Sequence, residues 1–335
     1  MTVSDPLRLP WRRLERVIAR IDNDEVIAQS MHLLEGSCVH GAENRAFPLN
    51  LPLLRKGIGN SLRGSTAALL SYQHGFHAGN QADVHKHCLL LGLLSLIAKK
   101  ARPITYIESH AGRGLYDLAG EQAQKTGEWR SGIGAIYEQA GLPTPLARYR
   151  DVVARWNRGE AILQYPGSPC IAGGALRKRD KLVLFEQHGT EFQALETAMT
   201  NHYRHAEAIR GDGYDGMFDV FSDHDPRHRL IAMIDPSYEL KEDFTRAPTF
   251  AERLVALVPD ALVMLWYPVL SRDEIGLEHA VPAPQSGSFH SIIRFPQHRE
   301  GHRMVGSGMV IYGDISENRR PLKVLDRALQ AHFAV

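Results

Sequence analysis

Residues 229–238 read RLIAMIDPSY, and their reading decides the fold. Five apolar residues, Leu230 to Ile234, end abruptly in Asp235-Pro236-Ser237-Tyr238. A run this short suits a buried strand, and Pro236 stops it by removing a ladder donor. The strand therefore brings a carboxylate, a rigid turn and an aromatic ring to one point. Asp and Pro make good turns by themselves, so the neighbouring stretches must decide whether chemistry is involved.

Working outward, ITYIES (104–109) predicts a strand running into the glycine-bearing loop HAGRG (110–114). KLVLFEQ (181–187) predicts another, ending at Glu186, and ALVMLWYP (261–268) a third buried one. SFHSIIRF (288–295) and SGMVIYG (307–313) alternate like strands nearer an edge. Between them lie helical patterns. Val84, Cys88, Leu91, Leu94 and Ala98 recur at helical spacing, with Lys99 and Lys100 at the C-terminal end and Pro103 beyond. Thr190 and Gln193 are spaced as a capping box for a helix carrying Phe192, Leu195 and Met199 on one face. GDGYDGM (211–217) reads as a turn before the next helix. Residues 115–165 read as helical and polar, with Trp129, Tyr137, Tyr149 and Trp156 as packing anchors. Apolar strands alternating with helices predict an α/β fold with a largely parallel sheet. Ligands bind such sheets beyond the carboxyl ends of the strands. That rule gathers His110 to Gly114, Glu186, Asp212 and Asp235 at one rim.

Composition narrows the partners. Among 335 residues, 39 basic side chains face 38 acidic ones, so no global field points to nucleic acid or membrane. A polyanion would need a local patch, such as Arg177, Lys178, Arg179 and Lys181, or Arg299, Arg303, Arg319, Arg320 and Lys323. Cys38, Cys88 and Cys170 are odd in number and far apart, which fits a reducing compartment rather than a disulfide scaffold. No apolar run approaches the roughly 20 residues of a membrane span, and no signal-peptide core follows the start. The chain reads as cytoplasmic. Residues 1–69 stand apart, with one amphipathic stretch (Leu14, Val17, Ile18, Ile21) and otherwise irregular sequence.

The rim residues suggest a nucleoside-bearing cofactor. Gly112 and Gly114 follow a strand directly, where small residues allow close backbone approach and the next helix offers free N–H groups. Glu186 ends the next strand, where a carboxylate can accept both hydroxyls of a ribose. The usual gap to that acid is about 20 residues; here it is far longer, so 115–165 must be an insertion. Asp212-Gly213 can meet an adenine amine, or simply form an Asx turn. Neither a complete G-x-G-x-x-G nor a phosphate-binding G-x-x-x-x-G-K-[ST] loop occurs, which fits S-adenosylmethionine better than a dinucleotide. With that cofactor, Asp-Pro-x-Tyr acquires a task. An exocyclic base amine is a poor nucleophile, because its lone pair is delocalised into the ring. Acceptors at both N–H bonds, the Asp235 carboxylate and the Pro236 carbonyl, would favour pyramidalisation and aim that lone pair at a methyl group, while Tyr238 stacks on the flipped base. Asp235 can then accept the released proton. A rival reading makes His74, His77, His85, His87 and His110 metal ligands, with Asp235 completing a hydrolase site. No H-E-x-x-H occurs, and His85 and His87 point to different helix faces, so they are taken as surface or core-edge histidines and no metal is expected.

SYQHGFHAGNQADVHKH (71–87), ESHAGRG (108–114), YPGSP (165–169), FEQH (185–188), GDGY (211–214), DPSY (235–238) and LWYPV (265–269) follow one another in an order that resembles the bacterial 23S ribosomal RNA adenine-N6 methyltransferase family, large subunit methyltransferase J. The resemblance covers about residues 70–335. It implies a Rossmann-like class I S-adenosylmethionine-dependent methyltransferase fold with a small inserted helical subdomain, here 115–165. It implies cofactor contacts from His87, His110, Ser168, Glu186, Asp212 and Asp235, and places Tyr72 and Lys86 near substrate or cofactor. Asp235 is implied as the catalytic residue. The expected partner is 23S ribosomal RNA and the expected state a monomer. A DNA adenine-N6 methyltransferase is the alternative, although only about a hundred residues follow Asp235 to hold a recognition domain. A non-catalytic RNA-binding relative is another. Two departures stand out: Ser237 replaces the second proline of the family's D-P-P-Y, and about 69 residues precede the position where similar sequences begin, near Leu70. That extension is expected to be dispensable and to reflect a misassigned start.

Overall fold

Along the strand Ile104–Glu108 (β1), neighbouring residues are buried in different places: Tyr106 in one hydrophobic core, Ile107 in another. The same alternation divides Leu184 from Phe185, Met233 from Ile234 and Met264 from Leu265. Since side chains of a strand point to opposite faces at period 2, these strands are covered on both sides. The computed structural model describes residues 72–159, 161–203, 205–271, 287–295 and 304–333. The expectations for residues 1–69, and those for Arg299 and Arg303, lie outside the described residues.

Besides β1, the strands are Leu115–Asp117 (β2), Gln164–Pro166 (β3), Lys181–Glu186 (β4), Ala206–Arg210 (β5), Arg229–Ile234 (β6), Leu262–Leu270 (β7), Phe289–Arg294 (β8) and Met304–Tyr312 (β9). Seven of them form one sheet in the order β5-β4-β1-β6-β7-β9-β8. Only β9 runs against the rest, pairing antiparallel with both β7 and β8. This is a Rossmann-like sheet with one reversed strand, the arrangement that the resemblance implies. β1 pairs in parallel with β4 on one side and β6 on the other, so the winding changes direction at β1. Open α/β sheets bind ligands at such a switch point, outside the carboxyl ends of the strands.

Helices cover both faces. Gln81–Ile97 (α1), Ser168–Ala175 (α5), Gly189–His202 (α6) and Arg319–Phe333 (α9) bury side chains in the larger core, whereas Gly213–Ser222 (α7) and Asp243–Leu257 (α8) cover the other face. α9 shows the logic: Leu322, Leu325, Leu329 and Phe333 form its one buried stripe, each such burial contributing about 1.5–3 kcal/mol. Asn80 caps α1 by accepting from Asp83 N at 2.9 Å, a contact typically worth about 1 kcal/mol. α6 departs from its sequence reading. It begins two residues earlier than the Thr190–Gln193 box requires, and His188 is its N-cap, accepting from Glu191 N. β9 departs too. Gly306 to Tyr312 are all buried, because β9 lies inside the sheet and both its faces are covered, Met309 and Ile311 in one core and Val310 and Tyr312 in the other.

Between β1 and β4 the chain makes a detour. β2 and β3 pair antiparallel and close its ends, and Glu121–Thr126 (α2), Ile133–Glu138 (α3) and Thr144–Ala154 (α4) lie between them. The detour is thus not wholly helical. Tyr149 is fully buried within it, and Trp129 and Trp156 pack against the larger core.

Candidate active site

The carboxyl ends of β1, β4 and β6 open into a cavity of about 820 Å³. That volume is near the upper end for a small-molecule site. Tyr72, Lys86, His87, His110, Gly112, Ser168, Glu186, Asp212, Asp235 and Pro236 all line it. Residues far apart in the chain meet there because three strands end and α1 begins at one place. Two expected site residues do not line it, Gly213 and Tyr238.

On the β4 side the site is built from backbone. Gly112 has φ +61°, the left-handed region that glycine adopts without steric cost, and its N–H donates to Glu186 Oε2 at 2.8 Å. His188 N donates to Glu186 Oε1 at 2.7 Å. Burial raises the Glu186 pKa, and these two amides oppose the rise. Asp212 caps α7, its Oδ1 accepting from Tyr214 N at 2.8 Å and Asp215 N at 3.1 Å. Sequence reading had offered an Asx turn or a ligand contact; the cap forms, at a residue that also faces the cavity. Gly213 has a packing reason instead, since a Cβ there would lie 1.7 Å from the Ser109 carbonyl oxygen. His110 lies 2.8 Å from Ser109 Oγ and edge-on to Tyr214, and burial lowers its pKa to about 4.

The β6 side is built from charged side chains. Lys86 Nζ donates to Asp235 Oδ2 at 2.6 Å and to Asp83 Oδ1 at 3.0 Å. Burial would strip the lysine of its proton, but the two carboxylates outweigh it and hold the pKa above the ordinary lysine value. Trp266 lines the cavity beside them, with Lys86 Nζ 5.5 Å from its ring centroid and its own Nε1 donating to Ser307 Oγ at 2.9 Å. Tyr238 turns away from the cavity. Its ring packs on Phe244 and against the edge of Trp266, and its hydroxyl donates to the Trp266 carbonyl at 2.6 Å. The stacking role expected for Tyr238 is therefore not set up in this arrangement. Tyr238 is also the one non-glycine residue with positive φ among the described residues, at 55°. Such a backbone typically costs about 1–3 kcal/mol and persists only where surrounding contacts hold it.

The histidines of α1 are not at the surface or the core edge. His85 and His87 are buried, and burial lowers the pKa of each to about 3. His85 bridges Ser307 and Ser291 at 2.8 Å each; His87 meets the Tyr165 hydroxyl at 2.8 Å. Among the described residues no group of three or more His, Cys, Asp or Glu side chains is placed to hold a metal ion.

Two carboxylates escaped sequence reasoning. Asp83, inside the 71–87 motif, is buried and joined to Lys86. Glu108 ends β1 as Glu186 ends β4, so an acid at a strand end was its available signal. It is fully buried, accepts from Ser168 Oγ and from Tyr106 OH, and burial raises its pKa to about 8. Ser168 reaches the cavity as the first residue of α5 and was placed there only by resemblance.

Comparison with known proteins gives a consistent result. The family model described as Ribosomal RNA large subunit methyltransferase D, RlmJ, matches residues 101–320. Two proteins named Ribosomal RNA large subunit methyltransferase J resemble the chain. The one from Escherichia coli is 36% identical over 207 residues, and the one from Haemophilus influenzae 34% over 208. Each match covers 62% of this chain and 73% of the relative. A crystal structure of a Legionella pneumophila protein superposes with a TM-score of 0.68 at 28% identity, covering 77% of this chain and 94% of that one.

Proposed function

The chain belongs to the RlmJ family of ribosomal RNA large subunit methyltransferases, and from that membership we propose S-adenosylmethionine-dependent methylation of the N6 amine of one adenine in 23S ribosomal RNA. The observation that carries the reading is the Asp235-Pro236 turn, which opens on the same cavity as Glu186 and Asp212. The residues fit the cofactor: a half-buried carboxylate for ribose hydroxyls at Glu186, a capping aspartate at Asp212 for an adenine amine, and His87, His110, Ser168 and Lys86 toward the remaining end. When bound, the cofactor supplies a methyl group on a sulfonium centre.

The chain's own residues do the rest. Lys86 engages Asp235 Oδ2, which leaves Oδ1 for one N–H of the target amine. The Pro236 carbonyl takes the other. Two acceptors favour a pyramidal nitrogen whose lone pair points out of the ring, and Asp235 receives the proton after transfer. Tyr72, 36% exposed at the mouth, meets the RNA. Among the described residues no helix is long and apolar enough to cross a membrane. The proposal keeps the sequence reading of a cytoplasmic monomer acting on ribosomal RNA.

Mass-spectrometric mapping of N6-methyladenosine in 23S ribosomal RNA, from cells with and without the gene, tests the reading. One adenine should lose its methyl group in the deletion strain. An unchanged RNA map with a methyl group missing from genomic DNA would replace it with the DNA enzyme.

A further inference from the structure

Asp83 lies on the first turn of α1 and is buried, yet its carboxylate makes three contacts that run in two directions. Oδ2 accepts from His74 Nε2 and from Gly79 N, both at 2.9 Å. Oδ1 accepts from Lys86 Nζ at 3.0 Å. Each arm continues. Because a carboxylate only accepts, His74 donates through Nε2, and its Nδ1 lies 2.8 Å from the Tyr72 hydroxyl at the cavity mouth. On the other arm the Lys86 ammonium reaches Asp235 at 2.6 Å. One buried group thus joins the residue at the mouth to the residue at the reacting centre.

Resting on the methyltransferase reading above, we propose that Asp83 is a positioning residue for methyl transfer. With one oxygen it holds the Tyr72–His74 segment over the cavity, and with the other it sets the Lys86 ammonium against Asp235. Burial opposes ionisation of Asp83, but His74 and Lys86 hold its pKa well below the ordinary carboxylate value. Lys86 therefore sits between two anions. Its other neighbours are His87 on its own helix, Tyr72 from the mouth, Glu108 on β1 and Trp266 on β7. Removing one anion lets burial pull the lysine pKa toward neutral.

Geometry makes Asp83→Asn selective. The Gly79 N–H demands an acceptor at the Oδ2 position, so the asparagine carbonyl must go there. Its NH2 group then faces the Lys86 ammonium, donor against donor. The mouth arm survives and the lysine arm breaks. His74→Ala does the reverse.

The test is steady-state transfer of tritiated methyl groups to an in vitro transcript of 23S ribosomal RNA, across a pH range. Asp83→Asn should lower kcat about 10-fold to 10²-fold, with the KM for S-adenosylmethionine little changed. Its alkaline limb should move at least about one pH unit toward neutral, the scale of losing one neighbouring opposite charge. His74→Ala should raise the KM for RNA and leave the alkaline limb where the wild type has it. Wild-type kinetics and pH profile in Asp83→Asn, or the same defect in both variants, would overturn the two-armed role. If Asp83→Asn fails to fold, NMR of the wild type decides. A scalar coupling across the hydrogen bond, between the Lys86 ammonium nitrogen and the Asp83 carboxyl carbon, is expected, and its absence overturns the proposal. An inactive wild type would sink the methyltransferase reading, while the coupling would still decide the Asp83 geometry.

Discussion

The two sides of the cavity solve one problem, a carboxylate partly withdrawn from water, by opposite means. At the end of β4, Glu186 is held by backbone amides of Gly112 and His188. At the end of β6, Asp235 is held by a side-chain cation that is itself shared with Asp83. Amides are neutral, fixed by the fold, and keep their shape when a ligand comes and goes. An ammonium can shift its bonds as charge moves. The first arrangement suits a binding group and the second a reacting one. The stored strain follows the same division, with the positive φ of Tyr238 lying on the reacting side. Substitutions on the β4 side should therefore alter affinity, and those on the β6 side turnover.

Asp235→Ala should break the reacting side most severely. In the proposed mechanism it removes one amine acceptor and the proton's destination, and losing one such contact to developing charge typically costs about 10²–10³ in rate. Cofactor affinity should change far less. Calorimetry alongside turnover separates the two, and normal turnover would remove Asp235 from the mechanism.

Glu108 lies between the sides and makes the comparison pH-dependent. Its folded pKa is about 8 against an ordinary 4.5, because burial and then Asp235 outweigh the hydrogen bonds from Ser168 and Tyr106. The folded state keeps a proton that the unfolded chain releases, so stability should fall as pH rises from about 4.5 through about 8. At about 1.4 kcal/mol per pKa unit the loss is on the order of a few kcal/mol. Glu108→Gln should flatten that slope in urea unfolding at pH 5 and pH 8. An unaltered slope would place the titration elsewhere.

What could be read from sequence divides along the same line. Apolar runs ending in acid located β1, β4 and β6, and with them Glu186 and Asp235, because a buried strand must end where its polar residue begins. α1 was read only halfway. Its apolar stripe was found, but periodicity cannot tell a polar face turned to solvent from one turned to a cavity. Asp83, Lys86 and His87 line the cavity, and His85 is buried against Ser291 and Ser307. The false capping box at Thr190 had a similar cause. Short polar spacings recur by chance, and the helix starts after His188, whose ring nitrogen accepts from Glu191 N, while the Glu191 carboxylate is held by Arg113 Nε at 2.9 Å.

Glu186→Ala probes the binding side. The ribose hydrogen bonds proposed for it would be charge-assisted, each contributing roughly 1.5–3 kcal/mol, so affinity for S-adenosylmethionine should fall about 10–150-fold. Turnover at saturating cofactor should stay within a few-fold of wild type. Unchanged affinity by calorimetry would make Glu186 a loop-former only, serving Gly112 and His188.

Ser237→Pro tests the smallest difference, whether this turn needs the second proline that similar sequences carry. A proline at 237 would disfavour α conformations at Pro236 and hold it extended. That restraint fixes where the Pro236 carbonyl points. Here the turn is held otherwise, by the Tyr238 hydroxyl on the Trp266 carbonyl and the Tyr238 ring on Phe244. Those contacts lie on the far side of Ser237 from Pro236, so both ends of the turn are already fixed. The substitution should change stability by no more than about 1 kcal/mol, the scale of compatible proline replacements, and leave turnover intact. Thermal unfolding and methyl transfer on one preparation measure both. Activity lost without loss of stability would give Ser237, which lines the cavity, a contact of its own with the substrate.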